Sequence, residues 1–476
     1  MSKALRISIN ILIIIAFANI YPQMNIIAQD KISHNRILIK FKSQEYAEKS
    51  IPILQKDFPN SHFLQLLKKE SSETYSSSKQ NNLQSINYDR QKVLKAEEPL
   101  LRTYIFEFKE NVDTRRIINE IPKLYQGIEL VEPYYIYELQ KFTPNDPMFS
   151  MQYNIDSILP EDAWEIERGN PNIVIGISDN GVPQKHSDLI NSLYINTGEI
   201  PNNDIDDDHN GYIDDYNGFN LSAEYLGEAW GNTSTSGRDH GSIIAGIIGA
   251  TFNNNVGIAG IAGNCRIFPI KSGDNNLNVL YGPESIVFAG VHRFSVLNLS
   301  WGYVHPYSQI EQNAVDYAVA RGVAIVASGG NIGSTTLYDT YYPAGYRGVL
   351  GVGEVDGSDY IISSSSMSDE VRVLVPGQGN LGTGNNQNYV NAPSGTSFAA
   401  PVISGAVALA CSKNPNLTSM QALEFVRQCT DDIKDKNIGY TNLDVVHGRI
   451  NLLKVVSTDP MSIPAIVPNN YLYYNT

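Results

Sequence analysis

The amino-acid sequence predicts an α/β domain, three layers deep around a mostly parallel central sheet, preceded by a small α+β module. Three observations carry that prediction. Beyond residue 150, apolar β-type runs at 173–177, 267–270, 296–300, 323–327 and 349–352 alternate with helical stretches. These runs are continuously apolar, as strands buried on both faces are in a parallel sheet covered by helices. Ahead of residue 141 the order is instead β-α-β-α-β, with polar/apolar alternation, which describes a separate α+β module.

Length and composition set the outer limits. The 476 residues leave room for two or three domains at about 150 residues each. Apolar residues make up 42%, ample for a large core, and the net charge of −15 excludes a nucleic-acid partner, which would need basic patches. Lys3 and Arg6 precede an apolar stretch at 9–18, and small residues follow up to Ala28. That stretch is shorter than the roughly 20 residues of a spanning helix, so 1–29 reads as a cleaved export signal. No other stretch reads as a bilayer span. The cysteines are Cys265, Cys411 and Cys429, an odd count; Cys411 and Cys429 either pair or serve as small buried hydrophobes.

Within the first module, residues 36–42 read as a strand, 45–67 as a helix, 71–91 as a polar insertion, 103–108 as a strand and 113–124 as a helix. The module, 30–140, closes on a further β-prone run, and 141–150 is a linker with two prolines. The large domain spans 151–456, and 457–476 is a proline-containing tail.

Three segments carry chemistry. An apolar strand runs into Asp179, with Gly181 allowing the chain to turn; a carboxylate at the carboxyl end of such a strand stands where α/β sheets hold ligands. His240 opens a helix whose Gly241, Ala245, Gly246 and Gly249 permit close packing. Gly395-Thr396-Ser397 precedes a small, apolar helix, placing a serine where backbone N–H groups favour developing negative charge. Pro401 is expected in that helix's first turn. Singly, each has an ordinary explanation: a turn aspartate, a packed histidine, a capping serine.

The order Asp, His, Ser is that of the subtilisin-like serine peptidases, and the motifs SDNGV, DHGSIIAGIIGA and GTSFAAPVISG resemble theirs. The resemblance covers about 145–456. It implies a serine endopeptidase in which Ser397 attacks, His240 relays the proton, Asp179 orients the imidazole and Asn331 helps hold the oxyanion. It also implies substrate-binding segments at Ser300, Trp301 and Gly302 and at Ala327, Ser328 and Gly329. Four positions depart from the family's usual residues: Asn180 after the aspartate, Ser242 and Ile243 after the histidine, and Val402 after the serine motif. The alternative is a catalytically silent member of the fold that acts by binding. An esterase is excluded because no G-x-S-x-G surrounds Ser397.

By the same resemblance, 30–140 is expected to be the enzyme's own propeptide and intramolecular inhibitor, cut off between Tyr137 and Asp146. Polypeptides are the expected substrates. The product is expected to be an exported monomer (secreted, periplasmic or on the cell surface) with no stable membrane span after processing. Lastly, Asp206, Asp208, Asn210, Gly211, Tyr212 and Asp214 follow positions 1, 3, 5, 6, 7 and 9 of an EF-hand loop, without the Glu at position 12. That pattern predicts a structural Ca²⁺ held by Asp206, Asp208, Asn210, the Tyr212 carbonyl and Asp214.

Overall fold

The computed structural model describes residues 32–67, 90–136, 142–223, 231, 233, 239–333, 340–440 and 448–463. The expected export signal, residues 71–89 of the polar insertion and 464–476 of the tail lie outside them. The chain divides into two compact units, Met1–Gln140 and Lys141–Thr476.

The first unit runs β1 (Ile32–Phe41), α1 (Gln44–Asp57), β2 (Ser61–Gln65), α2 (Arg90–Leu101), β3 (Thr103–Phe108), α3 (Thr114–Leu124) and β4 (Ile128–Tyr135). Its four strands form an antiparallel sheet in the order β2-β3-β1-β4. Tyr104, Phe106 and Phe108 alternate inward from β3 and pack with Ala47 and Leu54 of α1 and Ile121 of α3. The helix expected over 45–67 ends at Asp57, and β2 takes up its last part. Pro59 disfavours helical backbone at Phe58, and Phe63 gains a stacked contact on Phe106 at 4.2 Å.

The second unit contains α4 (Pro160–Trp164), β5 (Val174–Asp179), β6 (Phe219–Asn220), α5 (His240–Gly249), β7 (Arg266–Lys271), α6 (Gly282–His292), β8 (Val296–Leu299), β9 (Tyr303–Val304) and α7 (Gln309–Ala320). It continues with β10 (Ala324–Ser328), β11 (Tyr341–Tyr342), β12 (Val349–Val355), β13 (Val371–Pro376), β14 (Leu381–Thr383), β15 (Tyr389–Asn391), α8 (Thr396–Lys413), α9 (Ser419–Gln428), β16 (Thr430–Asp431), β17 (Arg449–Ile450) and α10 (Leu452–Ser457).

The main sheet has the order β16-β17-β13-β12-β10-β8-β5-β7-β6 and is parallel except at β16. Successive residues of its strands enter opposite cores. Val296, Val326 and Leu350 pack with α5, α8 and α9, while Leu297, Ile325 and Val349 pack with α6 and α7. This is why the strands read as unbroken apolar runs, and each such buried side chain contributes about 1.5–3 kcal/mol.

After β5 the chain builds β6 and β7 on one side of it, then crosses to β8 on the other. The crevice at that reversal, outside the carboxyl ends of β5 and β8, is where open α/β sheets place their ligands.

Two sequence expectations need correcting here. Helix α8 is long and apolar enough to cross a bilayer by length and composition, with mean hydropathy 1.2. It is the central core helix instead, buried from Phe398 to Ala410. Pro401 is its sixth residue rather than part of its first turn. All three cysteines are free thiols, and burial pushes Cys411 and Cys429 up to about 12.

Candidate active site

Asp179 is the last residue of β5, and Gly181 bends the chain away at φ +126°. His240 is the first residue of α5. Asn180 ties the two together, because its Oδ1 accepts from the Gly241 N–H at 3.0 Å. Gly241 must be glycine, since a Cβ would come 2.4 Å from the Gly181 carbonyl oxygen and 3.0 Å from Asp179. The result is a direct pair: His240 Nδ1 lies 2.9 Å from Asp179 Oδ1 and 3.1 Å from Oδ2. Burial pushes the His240 imidazole down. The charge and hydrogen bond of Asp179 more than reverse this, leaving it above the ordinary histidine value.

Ser397 stands in the first turn of α8, one residue beyond N-terminal Thr396, so its N–H has no intrahelical acceptor. Gly395, not Ser397, is the N-cap. The Ser397 hydroxyl is half-buried and has no hydrogen-bond partner among the described residues. The His240 ring packs against Phe398 at 5.2 Å, which brings the start of α5 to the start of α8. Catalytic hydrogen bonds are often completed only when substrate binds.

Asn331 follows Gly330, which turns the chain after β10 at φ +104°. Its Oδ1 accepts from the Thr396 N–H at 2.8 Å and from Thr396 Oγ1 at 2.9 Å. Thr396 Oγ1 in turn accepts from the Gly330 N–H at 3.1 Å. With its oxygen engaged, the exposed Asn331 turns its NH₂ group toward Gly395, where a Cβ would come within 3.5 Å of it. Thr396 is the residue the sequence reading missed: it lay inside the GTS motif, but nothing in spacing says that a fully buried threonine clamps Asn331.

The expected substrate-binding segments lie at the carboxyl ends of β8 and β10. Trp301 Nε1 donates to the Ser178 carbonyl at 3.1 Å. Its ring walls a cavity of about 520 Å³ with Leu277, Leu280, Tyr303 and Tyr342. Gly302 is demanded by packing, as a Cβ would strike Tyr341 and the Tyr342 carbonyl at 2.4 Å. Ser300 is buried, its hydroxyl accepting from Asn298 at 2.9 Å. Ala327, Ser328 and Gly329 are buried as well; Gly329 N–H donates to the Val352 carbonyl, and Ser328 Oγ has no partner among the described residues.

The acidic loop forms a tight knot. Asp206 Oδ1 and Oδ2 accept from the N–H groups of Asn210 and Gly211. The carboxylate that joins Asp206 and Asp208 is Glu199, and ligand atoms of these three lie within 4.8 Å of one another. Burial and the charges of Asp215 and Asp208 push Glu199 up, against the N–H groups of Asp207 and Asp208 that hold it down. Asp214 faces elsewhere: its two oxygens accept from the N–H groups of Asn203 and Asp204. The Asn210 amide donates to Asp208 and Asp215, and the Tyr212 ring packs on Phe219 and Phe288. Glu199 precedes the motif and is invisible to its spacing.

The start of the second unit is anchored. Phe142 N–H and Thr143 Oγ1 donate to Glu165 and Glu161, and Asp146 accepts from the N–H groups of Asn253 and Asn254.

Comparison with known proteins shows the family of the chain. The profile of the Subtilase family matches residues 170–442. The thermophilic serine proteinase of Bacillus sp. (strain AK1) is 32% identical over 335 residues, covering 69% of this chain and 73% of that protein. Thermitase of Thermoactinomyces vulgaris is 30% identical, covering 66% of this chain and 99% of its own length. The halolysin-like extracellular serine protease Nep of Natrialba magadii is 28% identical over 70% of this chain and 56% of its own. Among solved structures, a protease from Pseudoalteromonas arctica superposes with a TM-score of 0.54 at 22% identity, covering 66% of this chain and 99% of that one; this likeness concerns the fold.

Proposed function

The chain belongs to the subtilase family and is a serine-type endopeptidase; from that premise we propose that Asp179, His240 and Ser397 are its catalytic triad. The observation that carries the reading is the His240 Nδ1 contact with both Asp179 oxygens. It fixes the tautomer with the proton on Nδ1 and leaves Nε2 free to take the Ser397 proton. Ser397 Oγ then attacks the scissile carbonyl to form a tetrahedral oxyanion, which collapses to the acyl-enzyme as the C–N bond breaks and His240 gives the proton to the leaving amine. Water, losing a proton to His240, next attacks the acyl carbon; the ester bond breaks, the acid leaves and Ser397 regains its proton. The Asn331 NH₂ and the Ser397 N–H stabilise the oxyanion. The Trp301-walled cleft holds substrate side chains, with the backbone paired along 300–302. Ser397→Ala is expected to abolish both peptide hydrolysis and labelling by a fluorophosphonate; full activity in that variant sinks the assignment.

In the same reading the first unit is a propeptide and inhibitor and 1–29 an export signal, in keeping with the extracellular relative of Natrialba magadii. The anchoring that begins at Phe142 favours processing between 137 and 141, so that the mature chain keeps it. N-terminal sequencing of active enzyme checks this, and a start near Gln29 counts against it.

A structural Ca²⁺ fits the acidic loop, because Glu199, Asp206 and Asp208 supply hard oxygen donors close enough to share one ion. Bound there it would neutralise the cluster and tie 199 to 206–208, with no part in the hydrolysis.

A further inference from the structure

Beneath the loop that leads to Ser397 lies a carboxylate that the triad chemistry does not use. Glu354 is the sixth residue of β12, a strand otherwise made of valine, leucine and glycine, and it is fully buried. Its Oε2 accepts from the Ser394 hydroxyl at 3.0 Å. The N–H groups of Gly395 and Gln378 face the same carboxyl. Oε1 has no hydrogen-bond partner among the described residues and fills the space above Gly377, where a Cβ would come within 2.9 Å of it. Burial pushes the Glu354 carboxyl above the usual carboxylate range, and these three donors pull against that rise.

A buried carboxylate is costly unless a cation or several donors hold it, and a strand of this kind packs better with valine. What this one touches is specific. Ser394 and Gly395 run directly into Thr396, which clamps Asn331, and Ser397. On its β10 side the turn is tied through Thr396 to Asn331 and Gly330. On its β12 side the tie is Glu354.

We propose that Glu354 is a positioning residue for the hydrolysis: by holding Ser394 it sets where the Ser397 hydroxyl, the Ser397 N–H and Asn331 stand relative to the scissile carbonyl. This rests on the reading of Ser397 as nucleophile. It acts through the loop and not on substrate, so its removal lowers kcat and leaves binding along 300–302 alone.

The test uses the processed enzyme, steady-state hydrolysis of a peptide substrate, and the rate of Ser397 labelling by a fluorophosphonate. Glu354→Ala is expected to lower kcat by about 10- to 100-fold with KM within about twofold, and to slow labelling alongside kcat, as a displacement of an ångström or less does. Glu354→Gln keeps an oxygen acceptor for the loop and recovers most of that loss. Ser394→Ala, at an exposed position, is expected to lower kcat about threefold with KM unchanged. Wild-type kcat and labelling in Glu354→Ala, or a loss confined to KM, overturns the inference. Should Glu354→Ala not fold, Ser394→Ala decides alone, and an unchanged kcat there overturns it. Failure of the wild type to be labelled at Ser397 would instead defeat the triad reading itself.

Discussion

The proposed triad region and the acidic loop are both clusters of polar groups, yet they are assembled in opposite ways. Asp179, His240 and Thr396–Ser397 come from the ends of β5, α5 and α8, the first two 61 positions apart in sequence. Asp179 and His240 meet because Gly241 packs against Gly181, and the start of α8 comes to them through the contact of Phe398 with the His240 ring at 5.2 Å. The loop from Glu199 to Asp215 is held mostly by contacts within itself, side-chain oxygens receiving backbone N–H groups a few residues away. The first arrangement is rigid because the core fixes it. The second brings Glu199, Asp206 and Asp208 within 4.8 Å of one another, like charges that the proposed Ca²⁺ would neutralise.

That difference can be tested from its strongest consequence downward. Asp179→Asn should cost about 10⁴-fold in kcat/KM, because the amide favours the wrong imidazole tautomer, while the fold survives. Asn331→Ala should cost about 10²–10³-fold in kcat, the size measured for the corresponding amide of subtilisin. Thr396→Val, which removes both hydroxyl bonds of the clamp, should cost about tenfold. If Thr396→Val is silent, the clamp is not what orients Asn331.

The acid limb of the pH profile comes next. His240 works only when neutral, and Asp179 raises it above its ordinary 6.5. Activity should therefore fall as pH drops through a value above 6.5 in the native enzyme. In Asp179→Asn only burial remains, and the limb of the residual activity should move to lower pH. An unmoved limb means another group controls it. The same raised value favours the folded state at low pH, a contribution lost as pH rises through the folded value.

The loop should give the smallest effects, and on stability. EDTA should lower Tm by several degrees with little change in the kcat of surviving enzyme, about 2–4 °C for each kcal/mol lost. Glu199→Gln should abolish most of that EDTA response, whereas Asp214→Asn should leave it nearly intact. The reverse pattern would restore Asp214 to the ligand set and remove Glu199.

The sequence conveyed the long-range region better than the local one. Continuous apolar runs announced a sheet buried on both faces, and Asp179, His240 and Ser397 each stood at a strand end or helix start flanked by glycines. Local spacing in the acidic loop named Asp214, which the fold turns toward the backbone of 203 and 204, and omitted Glu199. Helix 45–67 was read one element too long because apolar spacing alone does not register Pro59.

Residue order by itself therefore determined the fold class and the ends of elements where chemistry could stand, since periodicity and turn residues are local properties of the chain, while the class of that chemistry came from the resemblance of three motifs to a known family. Only the tertiary structure decided which side chains face one another: Thr396 on Asn331, Asn180 on Gly241, Glu199 on Asp206, and Glu354 under Ser394. Those pairings depend on burial and on contacts between segments far apart in sequence, where a buried polar group must find its partner or carry the full cost of leaving water.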